Sequence, residues 1–268
     1  MTNILKTEFF RLKKSALFWA LFGVCAALPL LSVLLNMFVV MLQLSESTVE
    51  FNAWELMRNS DVTVLFLSDL PRLAANSLFA LICTSIFLSK EFSGGTFRNM
   101  LLANRSRREV YLSFLLMSVT ISCCYMGASF VSTLLFSGAI FGFGTVSAAK
   151  VVAACVIALA MSLISEVFLQ TMMCMFMFST RKLAVALACP LVITIIVPSF
   201  VISFVGVFAE MGFVTATDMS WIPLYNLSLL DLTAIDGALI GKILLYLIPL
   251  TVLFGVIGWF TFRKADLK

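Results

Sequence analysis

The sequence predicts an all-α membrane protein with six transmembrane helices. An N-terminal interfacial helix precedes them, a short cytoplasmic helix lies between the second and third, and an outer re-entrant helical element comes before the last. Three observations predict this fold. Of the 268 residues, 62% are hydrophobic and 12% are charged, against about a quarter charged in a soluble domain. The mean hydropathy is +1.09. The apolar residues fall into six blocks, at 16–42, 70–89, 110–140, 149–178, 183–206 and 238–261, and the basic residues gather in alternate gaps between them. With roughly 20 residues needed per span, six spans take up about half of the chain and leave little for a separate soluble domain, so 1–268 reads as one transmembrane domain.

Lys13 and Lys14 precede an apolar run from Ala16 to Leu42. That run is longer than the roughly 7–15 residues of a cleaved signal, so it reads as an uncleaved first span. With the N-terminus inside, the cytoplasmic segments hold 14 of the 18 Lys and Arg residues, which places both termini in the cytoplasm. Residues 1–14 read as the interfacial helix. Ile4, Leu5, Phe9 and Leu12 share one side, Lys6, Lys13 and Lys14 the other, while Glu8 and Phe10 fit neither cleanly. The alternative is a plain basic anchor.

The loop 90–109 is more than a connection. Gly94 and Gly95 break any helix continuing out of the second span. Thr96 then caps a short helix through Leu102, with Phe97, Met100 and Leu101 on its apolar face, suited to docking on a soluble partner. A solvated basic loop is the competing reading.

In the fourth span Glu166 stands out, because a charge at the bilayer centre costs on the order of 3 kcal/mol. It should face protein or a water-filled path, or carry a proton. Ser162 and Gln170 lie one turn to either side on the same face. The three either line a translocation path for a cationic or amphipathic substrate, or form a hydrogen-bonded network locking this helix to its neighbour. The fifth span is kinked or interrupted by Pro190 and Pro198. Residues 207–237 read as the outer re-entrant element, with Trp221 and Tyr225 as interfacial anchors. The outer loop 43–69 reads as a solvated acidic segment, and Met172, Met173, Met175 and Met177 as gap-filling residues.

The chain has no histidine, and its seven cysteines all lie in apolar stretches without metal-site spacing, so no metal site is expected. Nucleotide chemistry is also absent. The nearest approach to a phosphate-binding loop is Gly237-Ala238-Leu239-Ile240-Gly241-Lys242-Ile243. It is one residue short and lacks the Ser or Thr needed for magnesium. A small-residue helix contact through Gly237 and Gly241 is the better reading. An intramembrane enzyme has no paired carboxylates to work with. A secondary transporter or channel driven by an ion gradient, the alternative function, calls for more ionisable residues in the spans and internal repeats.

The stretch from Glu91 to Arg107 resembles the cytoplasmic loop between the second and third spans of type 2 ABC transporter permeases. That family shows an acidic residue, then Gly-Thr, then a short amphipathic helix ending in a Ser-Arg pair. Glu91, Gly95-Thr96, Leu101-Leu102 and Ser106-Arg107 stand in those places. The opening from Thr7 to Ser15 and the tail from Phe260 to Asp266 are similar to the family's first helix and usual ending. The resemblance implies a permease subunit of an ATP-driven exporter in a cell membrane, a bacterial plasma membrane. It implies a coupling helix docking on a separate ABC ATPase, with Glu91, Gly95, Thr96, Phe97, Arg98, Arg105 and Arg107 as coupling residues. ATP and magnesium would belong to that ATPase, and this chain would bind no cofactor. The further partners implied are a second permease subunit, identical or different, and the lipid bilayer, with no nucleic acid. Short outer loops suit a hydrophobic or amphipathic cargo, and the resemblance to small permeases of that family implies an antimicrobial or toxic peptide or a drug.

Overall fold

The computed structural model describes residues 2–45, 77–95, 100, 106–141, 148–197, 200, 204 and 237–264. The outer loop 43–69 beyond Ser45, Thr96 to Asn99 and Leu101 to Arg105 of the coupling segment, Pro198 and the re-entrant segment before Gly237 lie outside them. The described residues form helices and no strands. These are α1 (Thr2–Lys13), α2 (Ala16–Ser45), α3 (Ser77–Ser93), α4 (Arg107–Phe141), α5 (Ala148–Thr180), α6 (Leu183–Leu191) and α7 (Gly237–Lys264). Helices are what lipid demands, since each backbone N–H and C=O must find its partner within the segment.

Three helical stretches are long and apolar enough to cross a membrane: Arg107–Phe136 in α4, Val152–Thr180 in α5 and Gly237–Lys264 in α7. The α1–α2 pair, bent by 70°, makes a fourth candidate. Three to four of the six expected spans are therefore carried by the described residues. Of the rest, α3 has 17 residues. In the fifth apolar block the α-helical pattern is interrupted just past Pro190. α6 runs past Pro190 into a π-helical turn over Val192–Ile196, with the Thr194 hydroxyl donating to the Pro190 carbonyl at 2.6 Å.

The end of α3 follows the glycine rule closely. Helix stops at Ser93, the Gly94 and Gly95 amides turn back onto the Lys90 and Phe92 carbonyls, and Gly95 takes a φ of +65° that a side chain would resist. At the far side of the loop, Ser106 starts α4 by accepting the Glu109 amide at 3.2 Å. The sequence Ser106-Arg107-Arg108-Glu109 has the spacing of a capping box.

The helices pack around three apolar clusters. One joins α4, α5 and α7 through Met126, Phe130, Ala158, Met172 and Leu247. A second joins α3, α4, α5, α6 and α7 through Leu88, Tyr111, Phe178, Ala186 and Phe262. The third seats α1 and α2 on α3 and α4 through Leu12, Phe18, Cys25, Cys83 and Tyr125. Met172, Met173, Met175 and Met177 are all buried, as gap-filling residues should be. The outer surface is apolar instead, with Leu245, Val252 and Leu135 each at least 60% exposed. Interior hydroxyls mostly satisfy themselves on their own helix: Ser113 donates to Val110 O, Ser118 to Leu115 O and Thr171 to Val167 O.

The small-residue contact expected at Gly237 and Gly241 is not where the described helices close up. A Cβ at either position would meet nothing within 4 Å. Close approach falls instead at Gly258, where a Cβ would lie 2.7 Å from Tyr111 Oη and 3.2 Å from Met175 Cα. Small residues admit a neighbouring backbone only where two helices cross, and α7 crosses α4 and α5 near its other end.

Candidate functional site

The ends of α3, α5 and α7, the starts of α4 and α6, and the elbow of α1 and α2 gather at one end of the bundle. Lys13, Lys14, Lys90, Arg107, Arg108, Arg181, Lys182, Arg263 and Lys264 lie on these termini. An aromatic floor ties them together. Phe178 sits 4.8 Å from Phe262, 5.2 Å from Tyr111 and 5.7 Å from Phe92 between ring centres.

Two charged straps hold the segment that leaves α3 and enters α4. On the α3 side, Arg11 of α1 places Nη2 2.7 Å from Glu91 Oε1, and its Nη1 lies 3.5 Å from Glu8 Oε1. Both carboxylates are buried, Glu8 at 0% and Glu91 at 1% exposure, whereas Arg11 is 43% exposed. One guanidinium therefore serves two buried acids from two helices. On the α4 side, Arg107 donates to the Arg263 carbonyl at 2.6 Å and approaches the Phe262 carbonyl at 3.5 Å. Those are terminal carbonyls of α7, which lack helical partners and carry the negative end of the helix dipole.

Glu8 explains why α1 resisted a clean division into faces. Glu8, Arg11 and Leu12 share one face by helical spacing; Glu8 and Leu12 are buried there, and Phe9 and Phe10 are 42% and 60% exposed. The buried side of α1 is centred on a carboxylate because that carboxylate has an ion partner. Its interrupted apolar stripe was the available signal, with Arg11 one turn further on. In the sequence Arg11 is one of the 14 basic residues of the expected cytoplasmic segments, with nothing beside it to mark its partner on α3.

Burial, with Glu91 close by, raises the Glu8 carboxyl from its ordinary value of 4.5 to about 7, despite the opposing pull of Arg11. Folded protein thus holds a proton here that unfolded protein loses above pH 4.5. The stability that this proton supports is full below that pH and is lost as pH rises through about 7. Glu8→Gln, which keeps a neutral side chain at every pH, should flatten this part of the stability profile. Thermal unfolding of both forms across that window checks it, and parallel profiles would refute the assignment.

Of the expected coupling residues, the structure therefore brings Glu91 and Arg107 to the straps and Gly95 to the turn between them. Thr96, Phe97, Arg98 and Arg105 lie outside the described residues. The other expected set lies deep in the bundle. Ser162, Glu166 and Gln170 are 0%, 3% and 0% exposed. Gln170 Oε1 lies 3.0 Å from the Thr84 hydroxyl of α3, whose single proton it shares with the Ala80 carbonyl at 2.7 Å. Among the described residues, Glu166 Oε2, Gln170 Nε2, Ser162 Oγ and Ser122 Oγ are buried without a hydrogen-bond partner. Among the described residues no group of His, Cys, Asp or Glu is arranged to hold a metal.

Apolar helices long enough to cross a bilayer, with a basic end, define a multi-pass membrane protein. The family model for ABC-2 family transporter proteins matches residues 4–210. The chain belongs to that family, a membrane component of ABC transporters. Membership implies partnership with an ABC ATPase subunit. No curated protein and no solved structure matches the chain.

Proposed function

We propose that this chain is the permease subunit of an ATP-driven exporter, with six spans, both termini in the cytoplasm and its basic end facing a separate ATPase. One observation carries the reading: the segment between Glu91 and Arg107 is held at both edges by the chain's own first and last described helices. A segment strapped in this way passes a push from outside to α1, α3, α4 and α7 together. ATP closing two ATPase subunits would thereby reorient two permease subunits around a shared path. In this reading Gly95, Thr96, Phe97, Arg98 and Arg105 make the docking contacts, while Glu91 and Arg107 anchor the docking segment. The cargo is a hydrophobic or amphipathic molecule, such as an antimicrobial peptide or a drug. ATP and magnesium act on the ATPase.

The burial of Ser162, Glu166 and Gln170 and the Thr84 contact support their role as a polar network joining α5 to α3. Such interhelical hydrogen bonds contribute about 0.6 kcal/mol each on average. Glu166→Gln then leaves export unchanged, whereas impaired export with intact assembly would return these residues to the transport path. The coupling reading is tested by co-purification with a co-expressed ABC ATPase subunit. Scrambling Gly95, Thr96 and Phe97 should abolish co-purification while the permease still reaches the membrane. Retained binding would overturn the docking assignment.

A further inference from the structure

The elbow between α1 and α2 carries an aromatic-walled groove. The two helices meet at 70°. The Trp19 indole N–H braces the bend by donating to the Lys13 carbonyl at 2.8 Å. Inside the bend lies a groove of about 400 Å³, walled by Phe9, Phe10, Phe18, Trp19 and Phe22, with Lys13 at its edge. Phe18, Trp19 and Phe22 pack ring against ring, with centres 5.4 to 6.1 Å apart, so the wall is preformed. Phe10 and Trp19 remain 60% and 51% exposed. Lys14 sits on the same rim, its Nζ 4.4 Å from the centre of the Phe10 ring.

If α2 crosses the bilayer, a 70° bend lays α1 along the surface, and the groove opens at the headgroup boundary. Tryptophan favours that depth, and lysine stems reach from it toward water. The charge on this side is one-signed. The acidic residue of α1, Glu8, is buried with Arg11 and Glu91, and Lys6, Lys13 and Lys14 are all exposed.

We propose that this groove seats an acyl chain of an anionic phospholipid, with Lys13 and Lys14 holding its headgroup phosphate. A free phosphate would leave the aromatic wall unused, and a zwitterionic lipid would gain nothing net from two cations. Each lysine near an anionic headgroup contributes about fivefold in binding, so the pair sets a preference of roughly 25-fold.

The experiment reconstitutes the full chain in vesicles of equal phosphatidylglycerol and phosphatidylcholine and measures the lipid retained per chain after purification. The native chain should retain phosphatidylglycerol preferentially, and K13Q/K14Q should lose most of that preference. Equal retention of the two lipids by the native chain would overturn the proposal. Because removing two lysines also disturbs orientation signals, F10A/W19A supplies a second arm. It keeps every charge and opens the wall, and should lower phosphatidylglycerol retention several-fold; undiminished retention would refute the groove. R108Q removes a charge from the same end of the bundle but outside the groove, and should leave the preference intact. A loss in R108Q equal to that in K13Q/K14Q would mean diffuse attraction and would also sink the site.

Discussion

Arg11→Leu is expected to destabilise the protein by about 3 kcal/mol, the low end of the range for breaking a buried ion pair. The low end applies because Arg11 itself is 43% exposed and its charge is partly screened by water. The loss comes from the partners. Glu8 and Glu91 are buried at 0% and 1% exposure, and among the described residues each already has one carboxylate oxygen, Oε2, without a partner. Removing the guanidinium leaves two acids facing each other with no cation between them. Adding Glu8→Gln and Glu91→Gln to Arg11→Leu should recover much of the loss, because the uncompensated charge goes with them. Thermal unfolding in detergent of the parent, Arg11→Leu, Glu8→Gln/Glu91→Gln and the triple variant measures the cycle. A silent Arg11→Leu would show that α1 is held by its apolar contacts alone.

Gly258→Ala should cost about 1–3 kcal/mol, as overpacking of a filled interior does. The added methyl would stand 2.7 Å from Tyr111 Oη and 3.2 and 3.3 Å from Met175 Cα and Cβ. The tyrosine can swing, but its hydroxyl donates to the Gly255 carbonyl at 2.9 Å, and moving it breaks that bond in a buried site. The Met175 backbone cannot swing at all, so α5 and α7 must separate. Tyr111→Phe in the same chain should therefore rescue Gly258→Ala only in part. Gly241→Ala, with open space around it, serves as the comparison and should lie within about 0.5 kcal/mol of the parent. Equal effects at the two glycines would mean that the α5–α7 approach is looser than these distances.

Much of the fold was legible because it depends on neighbours in the chain. The blocks at 110–140, 149–178 and 238–261 became α4, α5 and α7, with ends within a few residues of those expected. Gly94-Gly95 ended α3, and the α-helical pattern of the fifth block is interrupted just past Pro190, since glycine and proline each act on their own backbone. The candidate site was half legible. Glu91, Gly95 and Arg107 could be singled out, but not what they touch.

What the sequence by itself determined is a helical membrane protein with one basic end and a glycine-broken segment leading out of α3. Composition, periodicity and charge alternation are local properties, and lipid leaves the backbone few choices. Tertiary structure alone decided that Glu8 belongs at the centre of the buried face of α1. It also decided that Arg107 reaches a carbonyl 156 residues away, and that α7 closes at Gly258 and not at Gly237 or Gly241. Those facts depend on which groups from distant segments arrive at the same place. A buried carboxylate or a missing Cβ acquires its meaning only from the partner that packing brings to it.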